Sequence, residues 1–289
     1  MSAIAYITDS KMLELHRLNN HKTINFWRPS GNINFTDFRE GDLLFFLSKD
    51  KEHRKQREKG IVGFGRLVSF SIASIKTMWK RYGIYNGYNS LEEFKEAILK
   101  VSKDKKLPSK ISDFYLEDVT FFQPIYLSEC GMKISNNVEA YIYLKPAEVV
   151  LRLLELAKNS GDIWTGLDNA EPIDKARLLY SLAAAHEKIG EISDDEKQLK
   201  KATKALKAFK EEHRGYDFIR DSRSELYKTG YKSLDIVLYH DKNRDPRLLI
   251  GQAQLYRYHL SNYYGYDLSL RFMCNDRDEE TEHYMNALL

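Results

Sequence analysis

The stretch Gly41-Asp-Leu-Leu-Phe-Phe-Leu-Ser48 and the following run Gly60-Ile-Val-Gly-Phe-Gly-Arg-Leu-Val-Ser-Phe70 decide the fold of the first half of the chain. Both are apolar runs bounded by turn residues, a pattern that is typical of buried strands. The glycines of the second run permit bulges or a close approach of backbone. On either side of these two runs we predict further strands at Ile4–Ile7, Val119–Tyr126 and Ala140–Leu144.

Two helices are predicted among these strands, at Ser74–Tyr82 and Ser90–Val101. Ser90 is a candidate N-cap, and Glu93 three residues later completes the pattern of a capping box. Many short strands combined with two helices fit a small α+β barrel. We therefore predict an α+β fold for this half of the chain.

The pattern changes after Lys145-Pro146, where helices replace short strands. The segments that we predict as helices are Ala147–Lys158, Pro172–Lys188, Asp194–Glu212 and Leu255–Tyr264. The segments that we predict as strands are Ser233–Tyr239, Leu248–Gln254 and Leu268–Met273. This change predicts two domains, a small barrel over 1–146 and a helix-rich α/β domain over 147–289.

The composition indicates a soluble globular protein. Of 289 residues, 43% are hydrophobic and 30% charged, and no apolar run is long enough to span a membrane. The N-terminus lacks the pattern of a signal peptide, and Cys130 and Cys274 have no CxxC partners. These features predict a cytoplasmic location. The net charge of +3 excludes little, because nucleic-acid binding depends on local positive charge.

Several further pieces of the first half carry a resemblance to a known family. They are Asn25-Phe-Trp-Arg-Pro-Ser30, Met78-Trp-Lys-Arg-Tyr-Gly-Ile-Tyr-Asn-Gly87, Ser90-Leu-Glu-Glu-Phe94 and Phe121-Phe-Gln-Pro124. With the two strand runs, their order and spacing resemble the PUA-like (EVE-like) N-terminal domain of predicted bacterial restriction endonucleases. The resemblance implies a domain that recognises a modified cytosine, such as 5-methylcytosine, in duplex DNA.

Recognition of a single base requires the base to be flipped out of the stack and held between flat side chains. The pocket residues that we predict are Phe26, Trp27, Trp79, Tyr82, Ser48 and Asn86. The aromatic members would form a cage, with Trp27 favoured over Phe26, and Ser48 and Asn86 would bind the edge of the base. Ordinary core packing is the alternative for each aromatic residue. Phe26 and Trp27 point to opposite faces if their segment is extended.

Basic residues are the candidates for contacts with the DNA backbone. Arg28 follows the aromatic pair, and Lys49 follows the first strand run. In the predicted helix Asp194–Glu212, the spacing of the lysines places several of them on one face. The backbone-binding set on that helix is Lys200, Lys204 and Lys207. A solvated helix face is the alternative explanation of the lysine pattern.

The resembled family carries an HNH nuclease after the PUA-like domain, but its histidine motif is missing here. The second half instead resembles a PD-(D/E)XK restriction core. In that pattern two acidic oxygens hold Mg²⁺ and a lysine helps to activate water. Asp235 and Gln252 occupy the metal-ligand positions, and Gln254 replaces the lysine. Glu225, or Glu211 and Glu212, would add a carboxylate from an upstream helix, and Lys228 or Lys232 would replace the missing amine.

The leading hypothesis is therefore a magnesium-dependent endonuclease that cuts near a modified cytosine. Dimers are common in such enzymes, because two strands need two active sites, so a homodimer is expected. The alternative is a modified-DNA or RNA binding protein whose second domain is a catalytically inactive nuclease fold or docks a partner. Asp235 would then pair with an arginine or cap a turn, and Gln252 and Gln254 would be ordinary polar positions of a half-exposed strand.

Overall fold

The computed structural model describes residues 1–31, 35–53, 58–102, 104–133, 138, 140–160, 170–190, 195–242, 245–276 and 279–288, without the side chains of 49–53 and 288. The chain forms two compact units, Ser2–Ala176 and Arg177–Leu289. The first unit extends beyond the predicted boundary at residue 146. It does so because helix Ala147–Asn159 buries Val150, Leu153 and Leu154 within this unit.

The first unit contains one six-stranded sheet and four complete helices. The strands are β1 (Ala3–Thr8), β2 (Ile24–Arg28), β3 (Leu43–His53), β4 (Glu58–Ala73), β5 (Ile111–Ile125) and β6 (Tyr141–Tyr143). The helices are α1 (Ser10–Leu18), α2 (Ile75–Tyr82), α3 (Leu91–Val101) and α4 (Ala147–Asn159). The sheet order is β2-β5-β4-β3-β1-β6, and only the β1–β3 pair is parallel. The predicted α+β class is confirmed.

The elements that the sequence marks most clearly form as predicted. The two opening strand runs become β3 and β4, and the β4–β5 pairing shifts register between Ile61 and Gly63. A β-carbon at Gly63 would lie 2.6 Å from the Thr120 carbonyl oxygen, so the predicted close backbone approach is real. The predicted cap also forms, because Ser90 Oγ accepts a hydrogen bond from the Glu93 backbone N–H at 3.1 Å.

The predicted barrel is not closed by hydrogen bonds in the part of the chain that the structure describes, because β2 and β6 remain open edges. Curvature of the sheet nevertheless brings β1 next to β2, and the rings of Tyr6 and Phe26 lie 4.9 Å apart. Phe35 lies 4.9 Å from Tyr141 of β6 and 5.6 Å from Phe114 of β5. Aromatic side chains therefore fill the seam between the two ends of the curved sheet, where a closed barrel would have backbone hydrogen bonds between strands.

The second unit is a mixed sheet between helices. The chain passes from α5 (Ala170–Ile189) and α6 (Glu196–Glu212) through β7 (Asp217–Phe218), β8 (Glu225–Gly230), β9 (Ser233–Leu238), α7 (Pro246–Tyr263) and β10 (Ser269–Cys274) to α8 (Glu279–Leu288). Strands β7, β8 and β9 are antiparallel, and α7 leads to β10, which lies parallel to β9. Apolar side chains of α5 and α7 cover one face, and those of α6 cover the other.

The predicted strand Leu248–Gln254 is wrong, because these residues belong to α7. The buried positions Leu249, Gln252, Ala253, Tyr256 and Leu260 recur with the spacing of one helical face. The start signal lies just upstream of them. Asp245 caps the helix by accepting a hydrogen bond from the Arg247 backbone N–H, and proline occupies the first turn. None of the described helices has the length and apolar character needed to cross a membrane.

A histidine pair with one buried member makes the stability of the first unit depend on pH. His16 of α1 is fully buried, and its Nδ1 lies 2.9 Å from Nδ1 of His21. Burial, reinforced by His21, lowers the pKa of His16 from 6.5 to about 3. Burial also lowers the pKa of His21. The folded chain thus keeps His16 neutral at pH values where an unfolded chain protonates it.

We expect His16 to destabilise the fold on acidification. Between its folded and unfolded pKa values, the unfolded state binds the extra proton. The stability contributed by neutral His16 is therefore complete above pH 6.5 and decreases as the pH falls towards 3. When the pH is lowered from 7 to 5, the unfolding free energy of His16→Gln should decrease by roughly 2 kcal/mol less than that of the wild type. Urea unfolding at the two pH values measures this. Exposed His283→Gln is the control, and an equal loss in wild type and His16→Gln would contradict the expectation.

Candidate functional site

A cavity of about 630 Å³ opens at the seam of the first unit. Its walls come from the end of β1, the end of β2 and the segment that follows α3. The lining side chains that matter for binding are Tyr6, Asp9, Trp27, Arg28, Ser102 and Asp104. The edge strand β2 and the inner strand β1 both contribute to the cavity, because the curved sheet brings them together without pairing them.

Arg28 is the cation of this cavity. It is the last residue of β2, and its guanidinium carbon lies 5.1 Å from the Tyr6 ring and 5.9 Å from the Tyr141 ring. The two tyrosine rings are nearly parallel, with centroids 5.9 Å apart. Burial raises the pKa of Tyr6, so its hydroxyl stays protonated and able to donate at neutral pH. The cation–π contacts hold a positive charge at the cavity wall.

An acidic group, the Asp9 carboxylate, also lines the cavity. Asp9 caps α1, and its Oδ1 accepts a hydrogen bond from the Lys11 backbone N–H at 3.0 Å. Its Oδ2 accepts the Tyr88 hydroxyl at 2.8 Å. Burial, followed by the nearby Asp9 carboxylate, raises the pKa of Tyr88. These bonds fix the Asp9 carboxylate at the edge of the cavity, where it can accept a hydrogen bond from a ligand amino group.

Phe26 and Trp27 both line the cavity, but each is also packed in the core. Phe26 points to the inside of the sheet and lies 6.0 Å from Phe114. Trp27 points to the other side, 5.3 Å from Phe94 of α3. The predicted alternation of this pair is confirmed, and each residue offers only part of its surface to the cavity, with 3% and 9% of their side chains exposed.

The other predicted pocket residues lie elsewhere in the first unit. Trp79 packs on Phe94 with ring centroids 6.0 Å apart, and Tyr82 stacks on Tyr115. Asn86 is fully buried. It accepts a hydrogen bond from Asn25 Nδ2, donates one to the Gly83 carbonyl, and through its own carbonyl accepts the Trp27 indole N–H.

The predicted pocket residue Ser48 is not among the side chains that line the cavity. Ser48 is buried, with its hydroxyl 3.4 Å from that of Ser10. The side chain of Lys49 lies outside the described part of the chain. Of the predicted residues, Phe26 and Trp27 line the cavity, and so does Arg28, which was predicted as a contact with the DNA backbone. Trp79, Tyr82, Ser48 and Asn86 support the surrounding fold instead.

Sequence reasoning missed Tyr6, Asp9 and Tyr141. The signal for Asp9 was present, because an aspartate between a strand and a helix is a typical N-cap. Tyr6 and Tyr141 looked like ordinary strand residues. Their pairing with Arg28 arises only when the sheet curls.

In the second unit, Asp235 is held by an arginine. Its Oδ2 lies 2.5 Å from Arg271 Nη2 and its Oδ1 lies 3.1 Å from Arg271 Nε. Tyr216 donates a further hydrogen bond to Oδ2 at 3.2 Å. Lys228, one of the two candidate amines, is the register partner of Asp235, whereas Lys232 pairs with Asp267. The alternative of an arginine-paired aspartate therefore describes this residue.

The predicted catalytic residues are divided by the sheet. Glu225 pairs in register with Leu238, and Asp235 pairs with Lys228. Because side chains alternate along a strand, this register places Glu225 and Asp235 on opposite faces. Gln252 meets Glu225 from α7, whereas Gln254 is exposed on the same helix. The assignment of Gln252 and Gln254 to a strand beside Asp235 is corrected.

Glu225 is instead the centre of a buried polar network. It accepts hydrogen bonds from the Ser222 hydroxyl and, at 2.5 Å, from Gln252 Nε2. His186 of α5 lies 3.4 Å from its Oε2 and 3.0 Å from the Tyr256 hydroxyl. All five side chains are buried. Paired and enclosed in this way, the carboxylate stabilises the packing of α5 and α7 on β8.

The predicted magnesium ion does not fit the surroundings of Asp235. Magnesium binds several oxygen ligands and usually keeps bound water, whereas both oxygens of Asp235 accept hydrogen bonds from a guanidinium group. Across the described residues, no three His, Cys, Asp or Glu side chains are grouped to hold a metal ion. Nothing in this part of the chain supplies the donor set of a magnesium nuclease.

The predicted lysine face forms on α6. Lys200, Lys204 and Lys207 line a shallow groove of about 440 Å³ together with Arg223 and Glu211. Charge in the groove is partly compensated, because Glu196 binds Arg223 at 2.8 Å and lies 3.8 Å from Lys200. The shared face confirms the helical spacing of the lysines, and their contact with DNA stays a prediction.

The solved structures that resemble this chain include an ASCH protein. No family model and no curated protein matches the sequence. ASCH from Zymomonas mobilis is 15% identical over 53% of this chain and 94% of its own, with a TM-score of 0.38. Two of its point mutants, 15% and 16% identical, cover 54% and 53% of this chain and 99% and 95% of their own, with TM-scores of 0.39 and 0.38. The likeness gives no support to the endonuclease assignment.

Proposed function

We propose that the protein binds nucleic acid and holds one extrahelical base in the cavity between β1 and β2. The observation that carries this proposal is the positive charge of Arg28 on the stacked rings of Tyr6 and Tyr141, at the wall of a cavity of about 630 Å³. A volume of this size is typical of small-molecule sites. Arginine and aromatic faces are the groups that receive unstacked bases.

The ligand that we propose is a cytosine modified at carbon 5. Asp9 offers an acceptor for the exocyclic amino group of cytosine, and apolar side chains such as Met12 and Pro108 offer a surface to the modification. Burial of one methyl group contributes only about 0.8 kcal/mol. A hydroxymethyl group can donate a hydrogen bond. The Thr8 and Ser102 hydroxyls of the lining donate to the Tyr6 and Lys106 carbonyls, and their oxygens can accept that bond.

For the second unit, we propose binding without catalysis. Asp235 is neutralised by Arg271, and Glu225 lies on the opposite face of the sheet. The lysine groove of α6 would then contact phosphates and add affinity that is independent of sequence. Cleavage, and the homodimer that goes with it, belong to the competing hypothesis of a modification-dependent endonuclease.

Binding to matched duplexes tests the proposal. The duplexes differ only at carbon 5 of one cytosine, which is unmodified, methylated, hydroxymethylated or glucosylated. We expect a preference among the four, and we expect Arg28→Ala to weaken binding of the preferred duplex about tenfold, as for loss of a charged contact. Lys80→Ala removes the same charge from exposed α2 and should change affinity little.

Two further results decide between the alternatives. Equal affinity for all four duplexes would contradict the cavity assignment, and stronger competition by single-stranded RNA would make the ligand RNA. Magnesium-dependent cutting that is lost in Asp235→Ala would contradict the non-catalytic second unit and establish the endonuclease. Selective binding without cutting supports the proposal.

A further inference from the structure

The second unit carries a groove with a different character from the lysine groove. It has a volume of about 540 Å³ and lies between α7 and the segment that leads into β10. Gln254, Arg257 and Tyr258 contribute from α7, and Tyr266 and Leu268 contribute from the opposite wall. The residues that line it include no aspartate or glutamate.

Two tyrosines of this groove are unusually exposed. Tyr258 is 62% exposed and Tyr266 is 89% exposed, and both rings line the same groove. A ring that stays in water forgoes the stabilisation of burial, which amounts to about 1.5–3 kcal/mol for a large apolar side chain. Grouped exposed aromatic residues indicate a binding surface.

The polar side chains of the groove have no partners within the described part of the chain. Arg257 makes no ion pair there, whereas Arg247 of the same helix is bound by Asp245 and Arg271 of β10 by Asp235. Gln254 likewise makes no hydrogen bond with a described residue. Donors that no carboxylate or carbonyl of the described residues engages can bind an anionic or polar ligand.

We infer that this groove binds a segment of single-stranded nucleic acid. Tyr258 and Tyr266 supply faces on which bases stack, Arg257 supplies the cation for a phosphate, and Gln254 and Asn262 supply amides for base edges. A proline-rich peptide also binds tyrosine-lined grooves. The uncompensated arginine and the absence of lining carboxylates favour the nucleic acid, which is an anion.

This inference adds a second site to the proposed function and does not rest on it, since the groove belongs to the other unit. The two sites differ in the ligand that they recognise. The cavity selects one modified base in a duplex, whereas the groove binds unpaired nucleotides with little sequence preference. A duplex opened by base flipping exposes such nucleotides.

Anisotropy of a labelled decathymidine with the full-length protein tests the groove. Stacking on an aromatic side chain contributes about 1–3 kcal/mol per base, so Tyr258→Ala and Tyr266→Ala should each weaken binding by about tenfold. Arg257→Ala should also reduce the salt dependence of binding by about one unit of slope. Tyr231→Ala is the matched control, because Tyr231 is 94% exposed on the same unit and lies outside the groove.

Each outcome decides the inference. Loss of decathymidine binding in the groove variants, with the control unchanged, supports it. Failure to bind decathymidine overturns it, as does equal affinity of wild type and the groove variants. Decaproline binding that these substitutions abolish, in a protein that ignores decathymidine, overturns it in favour of a peptide groove. Arg28→Ala distinguishes the sites, because it should affect selectivity among duplexes and leave decathymidine affinity intact.

Discussion

Replacement of Glu225 by alanine should lower the free energy of unfolding by about 3–5 kcal/mol, the largest effect that we expect from a polar residue of this chain. Glu225 is fully buried, and Gln252 and Ser222 donate hydrogen bonds to its two carboxylate oxygens. Removal of the carboxylate leaves the Gln252 and Ser222 donors without this acceptor inside the core. Urea unfolding followed by circular dichroism measures the change.

Asp235→Ala is the control for this prediction. Asp235 and Arg271 form a partly exposed pair, and the arginine side chain is 62% exposed, so loss of the pair should cost about 1 kcal/mol or less. Glu225→Gln retains the volume of the side chain and should fall between the two. A cost below about 1 kcal/mol for Glu225→Ala would show that the network contributes little, and would reopen a catalytic role for this carboxylate.

The register of one strand pair explains why the catalytic set could not be predicted correctly. The sequence places Glu225 ten positions before Asp235, and we predicted a helix there. That prediction is wrong, because Glu225 is the first residue of strand β8. Whether they share a face depends on the register of β8 and β9, which pairs Asp235 with Lys228. A shift of one residue would have placed both carboxylates on the same face. No local pattern in the sequence of this hairpin shows which of the two registers forms.

The wrong prediction for helix α7 has a different cause. Its segment Leu248–Gln254 contains a short apolar run, and such a run fits a buried strand as well as a helix. Asp245 and Pro246 give the decisive local signal, because an N-cap followed by proline marks a helix start. The helix could therefore have been predicted from the sequence, whereas the register of β8 and β9 could not.

The cavity residues of the first unit could be predicted from the sequence only in part. Strands β3 and β4 follow from continuous apolar runs, and Arg28, Trp27 and Phe26 were identified from their place in one motif. Tyr6 lines the cavity, and Tyr141 stacks on Tyr6 and contacts Arg28. Their approach depends on the curvature of the sheet, a long-range property that residue patterns within a strand do not encode.

Replacement of Gly87 by alanine should destabilise the first unit by about 3 kcal/mol. Gly87 ends the turn after α2 with φ of 88°, a region that costs a residue with a side chain about 1 kcal/mol or more. A β-carbon at this position would lie 2.3 Å from Met12 Cγ and 3.1 Å from His16 Nε2. Met12 cannot simply rotate away, since its Cβ would be only 3.0 Å from the new atom. Overpacking adds about 1–3 kcal/mol.

The variant Gly131→Ala separates the cost of backbone strain from the cost of overpacking. Its φ of 81° and ψ of 10° nearly equal the 88° and 20° of Gly87, but a β-carbon there meets no described atom within 4 Å. Gly131→Ala should therefore cost only the backbone strain, about 1 kcal/mol, and the difference between the two variants measures the contact with Met12. Because Met12 lines the cavity, Gly87→Ala should also weaken binding of the preferred duplex, whereas Gly131→Ala should not. Equal destabilisation by both substitutions would mean that α1 moves away from the turn at little cost.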